Sequence, residues 1–107
     1  MAQETVKAFR MQLKPGFEAE YKKRHDEIWP ELSQLLKEAG ITEYYIFLDE
    51  ATLALFAFQK LGANDTTASL PALPIMKKWW EYMKDIMESN PDNSPVSVPL
   101  KEVFFMP

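Results

Sequence analysis

The chain carries one histidine, His25, which follows Tyr21 by four residues. On a helix the two would project from one face, a turn apart. Imidazole is the side chain whose ordinary pKa, about 6.5, lies in the physiological range, so His25 is the candidate for moving protons near neutral pH. The plainer alternative is a packed histidine satisfied by a backbone carbonyl, with Tyr21 a packing residue whose hydroxyl stays wet. Trp79 and Trp80 are a second feature. Neighbouring helical residues point about 100° apart, so one ring can fill a core while the other lines a cleft, or both can belong to one wide apolar face. The third is Asn90-Pro91-Asp92-Asn93-Ser94-Pro95, whose side chains either build turns with their own backbone or touch a ligand.

Other chemistry is absent from the sequence. With no cysteine there is no thiolate nucleophile, disulfide or zinc knuckle. One histidine gives no multi-histidine metal site, and three glycines give no phosphate-cradling loop. We therefore expect neither a metal nor a cofactor. An imidazole, several phenols and several indoles suit a small ligand with an apolar face and many hydroxyls, and proton transfer as the reaction. Sixteen acidic against twelve basic residues give a net charge of −4, the wrong sign for a nucleic-acid partner. The basic run Lys22-Lys23-Arg24 reads as the solvated side of a helix. Met1 to Arg10 has no signal-peptide pattern, and no apolar run approaches the ~20 residues of a membrane helix. These features describe a soluble, cytoplasmic protein without a membrane partner.

These residues have to be positioned by a small fold. The 107 residues predict one domain spanning 1–107. Val6 to Leu13 alternates as a strand, broken at Lys14-Pro15-Gly16. From Phe17 to Ala39 the apolar period changes to that of a helix, which Pro30 divides into two pieces and Gly40 stops. Glu43 to Asp49 and Leu53 to Gln59 read as a hairpin. Gly62 to Pro74 reads as a loop with a short helical turn, and Ile75 to Met87 as a helix. Ser89 to Pro99 reads as an extended loop, and Leu100 to Met106 as a fourth strand. The order β-α-α-β-β-α-β matches the ferredoxin-like α+β arrangement, a four-stranded antiparallel sheet with helices on one face. Its bare face would carry aromatic side chains from Tyr44, Tyr45, Phe47, Phe56, Phe58, Phe104 and Phe105. Covering such a face calls for a second copy, hence a homodimer of the dimeric α+β barrel kind.

The segments MQLKPGFEAEYKKRHDEIWPEL, YYIFLDE, KKWWEYM and NPDNSPVSVPLKEVFFMP together resemble the L-rhamnose mutarotases, in register from about Phe9 to Pro107. The resemblance implies a dimeric ferredoxin-like fold and interconversion of the α and β anomers of L-rhamnose or a closely related deoxy-sugar. It also implies that His25 is the catalytic proton donor and that Tyr21, Tyr44, Trp79 and Trp80 bind the sugar. Asp26-Glu27 stands where family members often have Asn-Pro, which puts negative charge beside the imidazole.

Mutarotation opens the hemiacetal ring and recloses it on the other face. An imidazole at its ordinary pKa can protonate the ring oxygen at pH 7 without a large shift, and Asp26 or Glu27 would raise that pKa if close. The base for the anomeric hydroxyl is open among Tyr21, a water and Asp92. Two other classes compete: a cofactor-independent oxygenase or haem-degrading enzyme of the same barrel type, and a non-catalytic sugar-binding module.

Overall fold

The computed structural model describes residues 5–107, so the Met1–Glu4 part of the segment read above for a signal peptide lies outside the described residues. Strand β1 (Thr5–Gln12) ends at a turn where Gly16 adopts φ +88°. Helix α1 (Glu18–Asp26) has acidic residues in its first turn and Lys23, Arg24 and His25 in its last, which complements the helix dipole. Pro30 is the first residue of α2 (Pro30–Glu38), where its missing N–H costs nothing. The two helical pieces expected on either side of it are therefore separate helices. Strands β2 (Ile41–Asp49) and β3 (Ala54–Leu61) form the expected hairpin. A 3₁₀ turn (Thr67–Ala72) occupies the Gly62 to Pro74 stretch, and α3 (Pro74–Met83) also opens on a proline.

The strands are antiparallel in the order β2-β3-β1-β4, with β4 only Val98–Pro99. This is the ferredoxin-like α+β sheet. Inward residues of β1 and β3, among them Met11, Leu55 and Ala57, pack against Tyr21, Leu32, Trp79 and Met83 from the helices. Ala39, Ile41, Leu61 and Leu70 make a smaller cluster under the 3₁₀ turn. None of the helices is long and apolar enough to cross a membrane.

The ladder between β2 and β3 slips by one residue between Ile41 and Glu43, and the Thr42 hydroxyl donates to the Lys60 carbonyl there at 3.2 Å. Because strand side chains alternate, a one-residue slip exchanges the two faces. Ile41 points inward opposite Leu61, and beyond the bulge the inward set becomes Tyr44, Ile46 and Leu48, opposite Gln59, Ala57 and Leu55. Tyr44 therefore leaves the aromatic outer face on which the sequence reading put it. Tyr45 and Phe47 remain there, exposed and stacked at 6.2 Å.

Two further expectations are corrected. Helix α3 ends at Met83, and Ile86 and Met87 are buried beyond it, with Met87 bridged to Leu13. Leu100 to Met106 forms no strand. Pro99 pairs with Phe9, and the Leu100 N–H still donates to the Ala8 carbonyl at 2.9 Å. Phe104 and Phe105 accordingly lie on an open tail, not on the sheet.

Gly40 links α2 to β2 at φ +106°, and a Cβ there would sit 2.8 Å from the Cα and Cβ of Asp65. Gly16 also has positive φ but faces open space. Gly40→Ala is expected to cost at least about 2 kcal/mol, from backbone strain plus the clash. Gly16→Ala should cost about 1 kcal/mol from strain alone. Urea unfolding of both variants checks this, and equal losses would show that the Asp65 contact is unimportant.

Candidate active site

A cavity of about 870 Å³ opens between the inner face of the sheet and the helices. Tyr21 and His25 enter its wall from α1, Tyr44 from β2, Gln59 from β3 and Trp79 from α3. Four of the five site residues expected from the sequence are thus brought together. The fifth, Trp80, is partly buried against the core and is not in the cavity wall.

His25 is the most informative of these groups. Its Nδ1 lies 3.0 Å from the Tyr21 backbone carbonyl, one turn back. A carbonyl only accepts, so Nδ1 carries the hydrogen and the neutral ring keeps an unprotonated Nε2. The imidazole stacks against the Tyr21 ring at 4.3 Å and meets the Trp79 indole edge-on at 5.5 Å. Burial among these rings lowers its pKa below the ordinary value, although the Tyr21 carbonyl and Asp26 pull the other way. The direction is downward, against the rise expected from a close Asp26 or Glu27. Asp26 is largely exposed and pairs with Lys22 at 3.0 Å, so its field is screened. Desolvation wins, and the ring is neutral at pH 7.

The phenols are shifted in the opposite sense. Burial, with a smaller contribution from Tyr44, pushes the Tyr21 pKa well above that of a free phenol. Tyr21 therefore stays protonated and is a donor, which removes it as a base. Burial likewise raises Tyr44, and a hydrogen bond from the Gln59 side chain opposes the shift. Tyr44 is 39% exposed as a residue. Since its phenol feels strong desolvation, that exposure belongs to the rest of the residue rather than to its hydroxyl.

A contact chain steadies this wall. The Trp29 indole meets Trp79 edge-on at 5.0 Å, and Tyr82 lies 5.7 Å from Trp79. The Arg24 guanidinium covers the Tyr82 ring at 4.3 Å. It also donates to Glu20 at 2.8 Å, to Asp85 at 2.9 Å and to the Tyr82 carbonyl at 2.7 Å. Its side chain is 11% exposed, so Arg24 does not belong to the solvated basic face expected for Lys22-Lys23-Arg24. It ties the last turn of α1 to the end of α3, on the residue next to His25. Sequence reasoning passed over Arg24, Trp29 and Gln59. The available signals were an aromatic directly before Pro30 and an amide interrupting the apolar inward set of β3.

The Asn90 to Pro95 loop builds turns. Asp92 accepts from the Ser94 N–H at 3.0 Å and from the Ser94 hydroxyl. Asn90 donates to Ser94 Oγ at 3.1 Å, and Asn93, at φ +73°, donates to Glu81 at 2.7 Å. None of the six residues lines the cavity, which removes Asp92 as the base.

Comparison with known proteins identifies the family. The L-rhamnose mutarotase family model matches residues 7–106. The chain is 60% identical over 100 residues to an L-rhamnose mutarotase of Brucella anthropi, covering 94% of each chain. It is 57% identical over 99 residues to one of Formosa agariphila, covering 92% of this chain and 95% of that one. A crystal structure of an L-rhamnose mutarotase from Formosa agariphila superposes with a TM-score of 0.89 at 54% identity, covering 96% of this chain and 99% of the other. A match of this length and identity, on the same fold, establishes that the chain belongs to the L-rhamnose mutarotase family.

Proposed function

We propose that this protein interconverts the α and β anomers of L-rhamnose, with His25 as the group that moves the proton. The observation that carries the reading is the neutral imidazole in the wall of the cavity, its Nδ1 committed to the Tyr21 carbonyl and its Nε2 left with a lone pair. The family match supplies the reaction class and the sugar. It lends nothing to the oxygenase or haem-degrading reading, or to a sugar binder without catalysis.

Ring opening breaks the bond between C1 and the ring oxygen, and it transfers one proton, net, from the anomeric hydroxyl to that oxygen. Both oxygens sit on the same carbon. A single Nε2 can therefore accept the first proton and deliver it to the second position, serving as base and then as the proton donor that the family resemblance implies. The open-chain aldehyde turns about C1–C2, and the same steps in reverse close the ring on the other face. Tyr21 and Tyr44, held protonated by burial, would donate to sugar oxygens, and Trp79 would meet the apolar C–H face and methyl. Trp80 is the second indole assigned by the resemblance; from outside the cavity wall it would reach the sugar only from the rim.

The working unit in this reading is a cytoplasmic homodimer. Val103, Phe104, Phe105 and Met106 are 69–88% exposed, and Tyr45 and Phe47 are exposed on the outer face of the sheet. Contiguous apolar surface of this kind marks an interaction site. A second copy of the chain would cover both.

Three measurements test these statements. Saturation-transfer NMR on L-rhamnose should show exchange between anomer signals above the buffer rate, falling about 10²–10⁴-fold in a folded His25→Ala variant. Because the reactive form is neutral, catalysed exchange should fall as pH drops through a value below about 6.5 and stay level above it. A rate that instead falls as pH rises past 6.5 would mean the imidazolium is the starting form. Trp79→Phe should raise KM about fivefold through lost apolar contact, with Trp80→Phe within twofold; the reverse order would move the sugar to Trp80. In sedimentation, the native chain should run at twice its chain mass, and a Phe104→Ser/Phe105→Ser variant should dissociate at concentrations where the native protein does not. A native monomer would end the dimer proposal.

A further inference from the structure

The inward positions of β3 are Leu55, Ala57, Gln59 and Leu61. Three are apolar, and Gln59, 8% exposed, is the buried polar side chain of the described residues. An amide in such a place is costly unless its groups are used, so packing alone would favour a fourth apolar residue. Gln59 stands opposite Tyr44 in the ladder and lines the same cavity as Tyr21, His25 and Trp79. Across the ladder it faces the Tyr44 phenol and opposes that group's burial-raised pKa, as an N–H donor does. One such contact uses only part of an amide that offers two N–H donors and an oxygen with two lone pairs. Among the described residues, no buried side-chain nitrogen or oxygen is left without a partner. The unused side of the Gln59 amide therefore borders the cavity, not a sealed apolar interior. A hydroxyl, which both donates and accepts, is the group that such an amide fits.

We propose that Gln59 determines specificity: its amide, oriented by Tyr44, hydrogen-bonds one hydroxyl of the bound sugar. The proposal rests on the sugar-binding part of the reading above and not on catalysis. Pairing with a specific hydroxyl makes a testable distinction, because a site built to bond a hydroxyl discriminates against the analogue that lacks it. A residue that only steadied Tyr44 would discriminate against none.

The test is a set of dissociation constants, measured by calorimetry, for L-rhamnose and its 2-, 3- and 4-deoxy analogues. They would be compared between the native protein and the Gln59→Leu and Gln59→Met variants, with Tyr44→Phe alongside. L-rhamnose should bind about 5- to 50-fold more weakly to both Gln59 variants, the range expected for losing one hydrogen bond to a buried partner. One deoxy analogue should bind the native protein weakly and lose nothing further in the variants. The thermal midpoints of the variants should equal or exceed the native value, since they bury no amide. Equal losses for all four sugars, reproduced by Tyr44→Phe, would make Gln59 a support for Tyr44 and overturn the proposal, as would unchanged binding of L-rhamnose. Tight, selective binding without anomer exchange would defeat the mutarotase reading and leave this one standing. No binding of L-rhamnose to the native protein would end both.

Discussion

Between Ile41 and Glu43 the ladder to β3 slips by one residue, and the faces of the following strand are exchanged by that slip. Without it, Glu43, Tyr45 and Phe47 would continue the inward set begun by Ile41. An acidic side chain would then enter the apolar layer, and Tyr44 would stand in solvent. With it, Tyr44 joins Ile46 and Leu48 beneath the helices and reaches the cavity wall. The Thr42 hydroxyl on the Lys60 carbonyl and Gly40, at positive φ beside Asp65, both sit at this corner. The site's β2 wall thus depends on a local backbone irregularity, which places the phenol that Gln59 meets across the ladder.

The opposite wall depends on packing. Arg24 joins α1 to the end of α3 through Asp85 and the Tyr82 carbonyl and ring, and the rings of Tyr82, Trp29 and Trp79 lead to the imidazole, which also stacks on Tyr21. This enclosure sets the chemistry. Desolvation favours the neutral form of His25 and of both tyrosines. The neutral imidazole is a proton acceptor beside two hydroxyl donors, in a wall that also carries the carboxylates of Glu18, Asp26, Glu43 and Glu50. The negative charge expected beside the histidine has little influence, because Asp26 is solvated and paired with Lys22.

The outer surface obeys a different constraint. A four-stranded sheet with helices on one side has a second face to account for, and here that face holds Tyr45 and Phe47 while the tail beyond β4 holds Val103 to Met106. The tail has the apolar content of a buried strand, yet its large side chains are exposed.

Periodicity and punctuation were enough to read most of the fold. The alternation of Phe9, Met11 and Leu13, the period change after Gly16, the break at Pro30 and the stop at Gly40 are local steric and hydrophobic effects, visible along one dimension. Composition was enough to make His25 the candidate proton carrier beside the plainer reading of a packed histidine, and the family resemblance gave it the catalytic role with Tyr21, Tyr44, Trp79 and Trp80 around the sugar. What the linear chain did not contain was anything set by contacts across it. The bulge at Thr42 depends on pairing with β3. The separation of Trp79 from Trp80 depends on which side of α3 meets the sheet, and the burial of Arg24 on the Tyr82 ring of α3 and the Asp85 carboxylate just beyond it. The lowered pKa of His25 belongs with these, because desolvation is a property of the surrounding volume, and only folding brings the rings that exclude water to within about a ring's width of the imidazole.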